Sequence, residues 1–393
     1  MTPHALREAT AHLPAPLAII DAARLRANAD QLIARAAGTP VRIATKSVRV
    51  RSIIEDVLGR PGWAGAMTYS LAESLWLSER GVGDILLAYP TVDRDGLARL
   101  AASAEHRDKI TVMVDSAEHL ELITRAGAGA ANPVRVCLDV DASLRLGRGR
   151  IAAHLGVRRS PVHSVAEAAA LARRVVTTPG VELDGVMFYD AQIAGLPDTS
   201  PAVRLVKTRS DAELRERRAA VVAAVREVAP LRFVNAGGTG SLERTGSDPA
   251  VTELTAGSGL FAPTLFDRYD AFEAHPAAFF ALDVVRRPAE DVATCFGGGY
   301  IASGPAGRTR VPTPVWPAGL SLIGSEGAGE VQTPVRGAAA RALRVGDRVL
   351  FRHAKAGELC ERFDTVALVD ADGDGPPRVT PVPTYRGEGR SFG

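Results

Sequence analysis

Eight apolar runs of six to eight residues, separated by amphipathic helical stretches, constrain this chain more than any other feature of its sequence. They are VRIATK (41–46), WAGAMTYS (63–70), DILLAYP (84–90), ITVMVD (110–115), VRVCLDVD (134–141), LDGVMFYD (183–190), LRFVNAGG (231–238) and VTELTAG (251–257). Each is nearly continuous in Val, Ile, Leu and Ala, as strands buried on both faces are. Capping boxes at Ser70/Glu73, Ser164/Glu167 and Ser210/Glu213 open helices between them. A further run, LAIID (17–21), comes first, with Asp21 placed to cap the next helix and Gly38 to break it. Eight strand–helix units predict a closed (β/α)8 TIM-like barrel, with an open doubly wound sheet as the alternative.

After Phe266 the pattern changes. AAFFALDVV, DVATCF, LSLIG, DRVLFRH, DTVALVD and RVTPVPTY follow one another without long helices, punctuated by Gly and Pro. The expected organisation is a barrel over 15–265 and a C-terminal β-domain over 266–393, completed by part of 1–14. A length of 393 residues suits two domains. A formal net charge of +2 gives no electrostatic excess for nucleic acid or an anionic membrane. Three scattered cysteines form neither a disulfide framework nor a CxxC pattern. With no signal-peptide pattern at the N-terminus and no apolar run of about 18 residues, the chain reads as soluble and cytoplasmic.

Of 47 basic residues only four are lysines, Lys46, Lys109, Lys207 and Lys355, so chemistry that needs an amine has few candidates. Barrel enzymes take catalytic groups from the C-terminal ends of strands. Lys46 closes the first run, and its apolar neighbours in IATKSV would desolvate it, which frees an amine for a Schiff base. The plainer reading is a lysine that snorkels to solvent. The other expected sites are NAGGTGS (235–241) and AGSG (256–259), after the seventh and eighth runs. Consecutive glycines let backbone N–H groups approach an anion, and these two loops are the usual phosphate site of a barrel. Two tight turns without a ligand are the plainer reading there. A strand-end lysine together with a phosphate cup fits pyridoxal phosphate. DADGDG (370–375) opens like a calcium loop but has Pro381 where a bidentate Glu belongs. HExxH, GxSxG and GxxxxGK[ST] are absent.

PAPLAIID, RIATKS, YSLAESLWLSERGVGDILLAYP, NAGGTGS and TAGSGLF, in that order, resemble the fold-type III pyridoxal-phosphate enzymes. Within them the likeness is to the D-threonine aldolase and D-serine dehydratase group, with its alanine racemase-like barrel, and it covers nearly the whole chain. The resemblance implies an aldimine on Lys46 and phosphate contacts from Gly238, Thr239, Gly240, Gly257 and Ser258. It also implies Tyr189 close to the cofactor and Arg145 as partner of the pyridine nitrogen, with Arg158 and Arg159 as a competing alignment. Members of the group bind a divalent ion through a His-x-Cys or His-x-Asp pair. Here His353 fits the first position, but Lys355 occupies the second, and a cation does not ligate a cation. The chain therefore resembles a divergent branch, in which the Lys355 ammonium stands in for metal and His353 serves as general base.

The leading expectation is a lyase, aldolase or dehydratase, acting on a small D-β-hydroxy-α-amino acid, as a homodimer. An amino-acid racemase is the alternative with the same cofactor, although an obvious second base is missing from the strand ends. A non-catalytic pyridoxal-phosphate carrier resembles the isolated barrel, and the large β-domain argues against one.

Overall fold

The computed structural model describes residues 1–129, 131–147, 153–305, 307–371 and 375–393. The chain divides into two compact units. One comprises Leu32–Thr45, Glu55–Ala256 and Phe392–Gly393; the other comprises Met1–Gln31, Lys46–Ile54 and Gly257–Ser391. The first strand, β1 (Leu17–Asp21), falls in the second unit.

The larger unit is a closed barrel. Its strands are β2 (Val41–Ala44), β3 (Trp63–Thr68), β4 (Ile85–Leu87), β5 (Ile110–Val114), β6 (Val134–Asp139), β9 (Val181–Phe188), β10 (Phe233–Ala236) and β11 (Glu253–Ala256). All neighbours in it are parallel, with β11 closing on β2. A short hairpin, β7 (Leu144–Leu146) and β8 (Ala153–Leu155), is inserted after β6. All eight barrel strands coincide with the eight apolar runs. Leu86, Met113, Cys137, Met187 and Phe233 pack together in the interior, filling it as side-chain layers fill a barrel of this size. The open-sheet alternative is excluded by the β11–β2 pairing.

Capping follows the sequence in two of three cases. Ser164 and Glu167 form a reciprocal box on helix Val165–Thr177. Ser70 accepts from the Glu73 N–H, while the Glu73 carboxylate reaches the Tyr69 N–H instead (2.8 Å). Ser210 caps nothing: it is buried in helix Pro201–Arg226, which Ser200 caps and Pro201 opens. Proline at the first turn supplies a stronger start signal than the interior Ser-x-x-Glu.

The smaller unit is built on a nine-stranded sheet. Its path is β15 (Ser321–Leu322), β16 (Gln332–Arg336), β13 (Val292–Phe296), β12 (Ala278–Ala289), β1, β18 (Thr365–Asp370) and β19 (Arg378–Pro383). The strand β17 (Arg348–Arg352) pairs with β12 and with β14 (Thr313–Trp316). Its core joins Leu6, Leu17 and Ile19 to Phe279, Leu350 and Val369. β1 lies antiparallel to β12 and parallel to β18. This departs from the expected partition, which placed 15–21 with the barrel; a strand covered on both faces reads alike in either sheet. Asp21 does cap the following helix, accepting from the Arg24 N–H (3.1 Å). β14 and β16 contain prolines and were not expected as strands. In the DADGDG stretch, 372–374 lie outside the described residues. No helix among the described residues is long and apolar enough to cross a membrane.

Candidate active site

In the barrel unit, the loop after β10 is built from Gly237 to Ser241. The Gly238 N–H donates to Ser241 Oγ (3.2 Å), and the Ser241 N–H returns to the Gly238 carbonyl (2.9 Å). Below them Asp190 is fully buried and accepts from Ser241 Oγ (3.2 Å) and Thr245 Oγ1 (2.8 Å). Arg35 takes up the Thr239 carbonyl (2.6 Å). A side chain at position 238 would meet Ala194 Cβ at 2.8 Å, so only glycine lets the loop lie this close. The buried Gly240 amide engages no other described residue. A buried N–H without a partner is a place for an acceptor from outside the chain, and a phosphate oxygen fits it. Ser241 and Thr245 were not singled out in the sequence; their signal was a hydroxyl three and seven residues after Gly238, the second of the loop's paired glycines.

Tyr189 follows β9 and is half-buried. The guanidinium over its ring belongs to Arg159, at 5.0 Å from the centroid; the same group lies 5.3 Å from the Tyr89 ring. Among the described residues Arg159 makes no hydrogen bond, so its donors are open to a ligand. Arg145 is placed differently. Its Nε and Nη2 donate to Asp141 Oδ2 (3.1 and 2.6 Å), and its side chain is 44% exposed. Asp141 also accepts from the Ser143 hydroxyl and amide, and these bonds hold its carboxyl below the usual range against the effect of burial. Asp139, the last residue of β6, is 6% exposed, and burial pushes its carboxyl up to about 7, with Asp115 adding to the effect.

In the smaller unit, Lys46 sits in a single turn of 3-10 helix, Thr45–Ser47, directly after the end of β2. Its carbonyl accepts from Arg49 Nε (3.1 Å), and Arg49 pairs with Glu361 (2.6 Å). Gly357, at φ +103°, lies against the same carbonyl: a Cβ there would be 2.0 Å from the oxygen. The lysine turn is thus held by the segment that carries His353. Gly257 and Ser258 follow β11, and Ser258 opens the short helix Ser258–Phe261. Since β10, β11 and β2 are consecutive in the barrel, both glycine loops and the lysine turn continue from three adjacent strand ends.

His353 is 2% exposed and stands edge-on to Phe261 (6.4 Å). Among the described residues neither ring nitrogen makes a hydrogen bond of good geometry, although the Ala278 backbone stands close enough to oppose part of the burial effect. Burial, with Arg352 adding to it, lowers its pKa to about 3, so the ring is neutral and does not titrate near neutrality as the sequence had suggested. Lys355 Nζ reaches the Ser303 carbonyl (3.4 Å), and Glu358 accepts from the Ser303 amide (2.9 Å). The orphaned imidazole fits one ligand of a metal. The rest of the donor set does not: Lys355 stands two residues on, and burial pushes the Cys360 thiol up to about 12. No group of three His, Cys, Asp or Glu side chains that could hold a metal occurs among the described residues. Of the other lysines, Lys109 pairs with Glu105 (2.6 Å) at the end of the helix preceding β5. Lys207 is buried against Asp198 (2.8 Å).

Residues 20–264, more than half of the 393, match the family model of the alanine racemase N-terminal domain. A D-threonine aldolase of Arthrobacter sp. is 29% identical over 241 residues, which are 58% of this chain. The chain spans 57% of the length of that relative. A solved D-threonine aldolase of Filomicrobium marinum superposes over 96% of both chains at 19% identity, with a TM-score of 0.76. D-threo-3-hydroxyaspartate dehydratase of Delftia sp. HT23 covers 95% of this chain and 97% of its own, at 19% identity and a TM-score of 0.71. Both have the same fold. The chain belongs to the family of the alanine racemase N-terminal domain.

Proposed function

We propose that this chain is a pyridoxal-phosphate-dependent lyase that cleaves or dehydrates a D-β-hydroxy-α-amino acid. The observation that carries the reading is the lysine turn after β2, whose carbonyl accepts from Arg49 and lies against Gly357; glycine loops follow β10 and β11. The named relatives, an aldolase and a dehydratase, support a lyase over a racemase. When bound, pyridoxal phosphate supplies an electron sink for the bond that breaks.

In this reading Lys46 Nζ is the attachment point and afterwards the proton carrier at Cα. Gly238, Thr239 and Gly240, with Gly257 and Ser258, hold the phosphate. Tyr189 would pack on the cofactor, and Arg159, in place of Arg145, would be the donor to its nitrogen, because Asp141 already engages the Arg145 guanidinium. His353, neutral and with both nitrogens unspent, accepts a hydrogen bond from the β-hydroxyl. The Lys355 ammonium supplies positive charge near that oxygen, a weaker acidifier than a divalent ion. A homodimer in the cytoplasm belongs to the same reading.

The test is borohydride reduction of the pyridoxal-phosphate-loaded protein with peptide mapping, followed by assay on D-threonine and D-threo-3-hydroxyaspartate before and after chelation. The expected result is an adduct on Lys46 and turnover that survives chelation but falls in Lys355→Ala. An adduct on another lysine sinks the site, and activity lost to chelator and restored by manganese or zinc sinks the role of Lys355.

A further inference from the structure

Asp190 follows Tyr189 just past the end of β9 and has no exposure to solvent. A carboxylate taken out of water needs hydrogen bonds, and this one finds them in the next loop of the barrel. Oδ2 accepts from Thr245 Oγ1 (2.8 Å) and Oδ1 from Ser241 Oγ (3.2 Å). Burial pushes the carboxyl up, and Arg218 together with these two hydroxyls opposes that shift. The main chain of Asp190 works on the same loop. Its carbonyl accepts from the amides of Ile193 (2.8 Å) and Ala194 (2.9 Å), closing the single turn Ala191–Ala194. That turn sets Ala194 Cβ where a Cβ on Gly238 would be only 2.8 Å away. Asp190 therefore holds the glycine loop twice, by its side chain and through Ala194.

The consequence lies in the direction of the hydroxyls. An ionised carboxylate only accepts, so both hydroxyls spend their hydrogens on it. The Ser241 oxygen is then left to accept from the Gly238 N–H (3.2 Å). The Gly238 carbonyl, 3.4 Å from the same oxygen, is the other acceptor within its reach, and it is farther than Asp190. With the Gly238 amide turned onto Ser241, the Gly240 amide is left unengaged among the described residues, as a phosphate oxygen requires. Tyr189 Cε2 is 3.8 Å from the point where a Cβ on Gly238 would stand. The residue next to the tyrosine in the chain is thus the one that ties the loop to it.

We propose that Asp190 is a positioning residue for the phosphate end of the cofactor, acting through Ser241 and Thr245 to hold the Gly237–Ser241 loop beside Tyr189. Its carboxylate acts on the phosphate only by fixing which way the loop's hydroxyls and amides point. The group served is a phosphate monoester, and the ring and aldehyde of the same cofactor gain nothing from it. Asparagine cannot replace it, because its amide presents a donor to one of the two hydroxyls and turns that hydroxyl round. This inference rests on the reading that the loop after β10 holds the phosphate of pyridoxal phosphate.

The experiment compares affinity for pyridoxal phosphate with affinity for pyridoxal, which keeps the ring and aldehyde but lacks the phosphate. Fluorescence quenching measures both in the parent, in Asp190→Asn, in Ser241→Ala and in the double variant. Asp190→Asn is expected to weaken pyridoxal phosphate about tenfold and to leave pyridoxal within about twofold of the parent. The double variant should lose no more than the weaker-binding single variant, because the two residues act in series. A purely structural role would weaken both ligands alike, so the ratio of the two affinities is the readout. Equal losses for both ligands, an unchanged affinity for pyridoxal phosphate, or additive losses in the double variant overturn the inference while leaving the lyase reading intact. A parent that binds no pyridoxal phosphate overturns the lyase reading, and this inference with it. Should Asp190→Asn not fold, Ser241→Ala and Thr245→Val, each removing one hydroxyl from the carboxylate, decide by the same ratio.

Discussion

The two ends of the barrel treat charge in opposite ways. At the N-terminal end, Arg42 is completely buried and forks onto Glu253, with Nε to Oε1 at 3.0 Å and Nη2 to Oε2 at 2.8 Å. It also reaches Asp84 (3.2 Å), which pairs with Arg232, which in turn forks onto Asp184 (2.8 and 2.7 Å). Asn235 and Thr111 fill remaining acceptor positions on Glu253 and Asp184. Each of these charges has an opposite neighbour. At the C-terminal end, among the described residues, the Asp139 carboxyl accepts no hydrogen bond, the Arg159 guanidinium lies over the Tyr89 and Tyr189 rings without a hydrogen bond, and the Gly240 amide is unengaged. A satisfied network rigidifies a fold, whereas unsatisfied polar groups persist where a ligand completes them. In the proposed reading the contrast separates a scaffold end from the candidate site.

Three substitutions would break or sharpen that contrast. The largest expected effect is Arg42→Met, which strands the buried Glu253 carboxylate and costs about 3–5 kcal/mol. Denaturant unfolding measures it, and a loss under about 1 kcal/mol would show that the scaffold end is not what holds the barrel.

Asp139→Asn is expected to act in the opposite sense. The folded carboxyl titrates near 7 against a reference of 3.8, so its stabilising neutral state is complete below about pH 4 and is lost as pH rises through 7. The amide stays neutral throughout. The variant should therefore melt higher than the parent at pH 8, by an amount on the order of a few kcal/mol, and alike near pH 4. A variant less stable at both values would move Asp139 to the scaffold side of the comparison.

The smallest effect is expected from Gly238→Val. Its side chain meets Ala194 and pushes the loop off its close approach, lowering affinity for pyridoxal phosphate about tenfold. Titration of the cofactor by fluorescence quenching checks this; unchanged affinity would take the phosphate away from this loop.

The barrel strands, the lysine at the first strand end and the two glycine loops were all readable from the chain alone. The reason is local: a strand covered on both faces needs a continuous apolar run, and a tight backbone approach needs glycine, so both write themselves into consecutive residues. What lay beyond reach depended on partners distant in sequence. LAIID carries the same run whether it enters the barrel or, as here, pairs with strands 260 and 348 residues further on, as in Ile19↔Phe279 and Ala18↔Val366. In sequence Arg145 is the leading candidate for the ring nitrogen, with Arg158 and Arg159 competing; that Asp141 holds the Arg145 guanidinium while Arg159 lies over the Tyr189 ring is seen only in the fold. The grip of Gly357 on the Lys46 carbonyl, the burial that keeps His353 neutral and the isolation of Asp139 likewise have no local signature. Local pattern determined where the strands and turns are, because it acts through neighbouring residues. Tertiary structure alone decided which charges are paired, because pairing and desolvation depend on what the fold brings alongside.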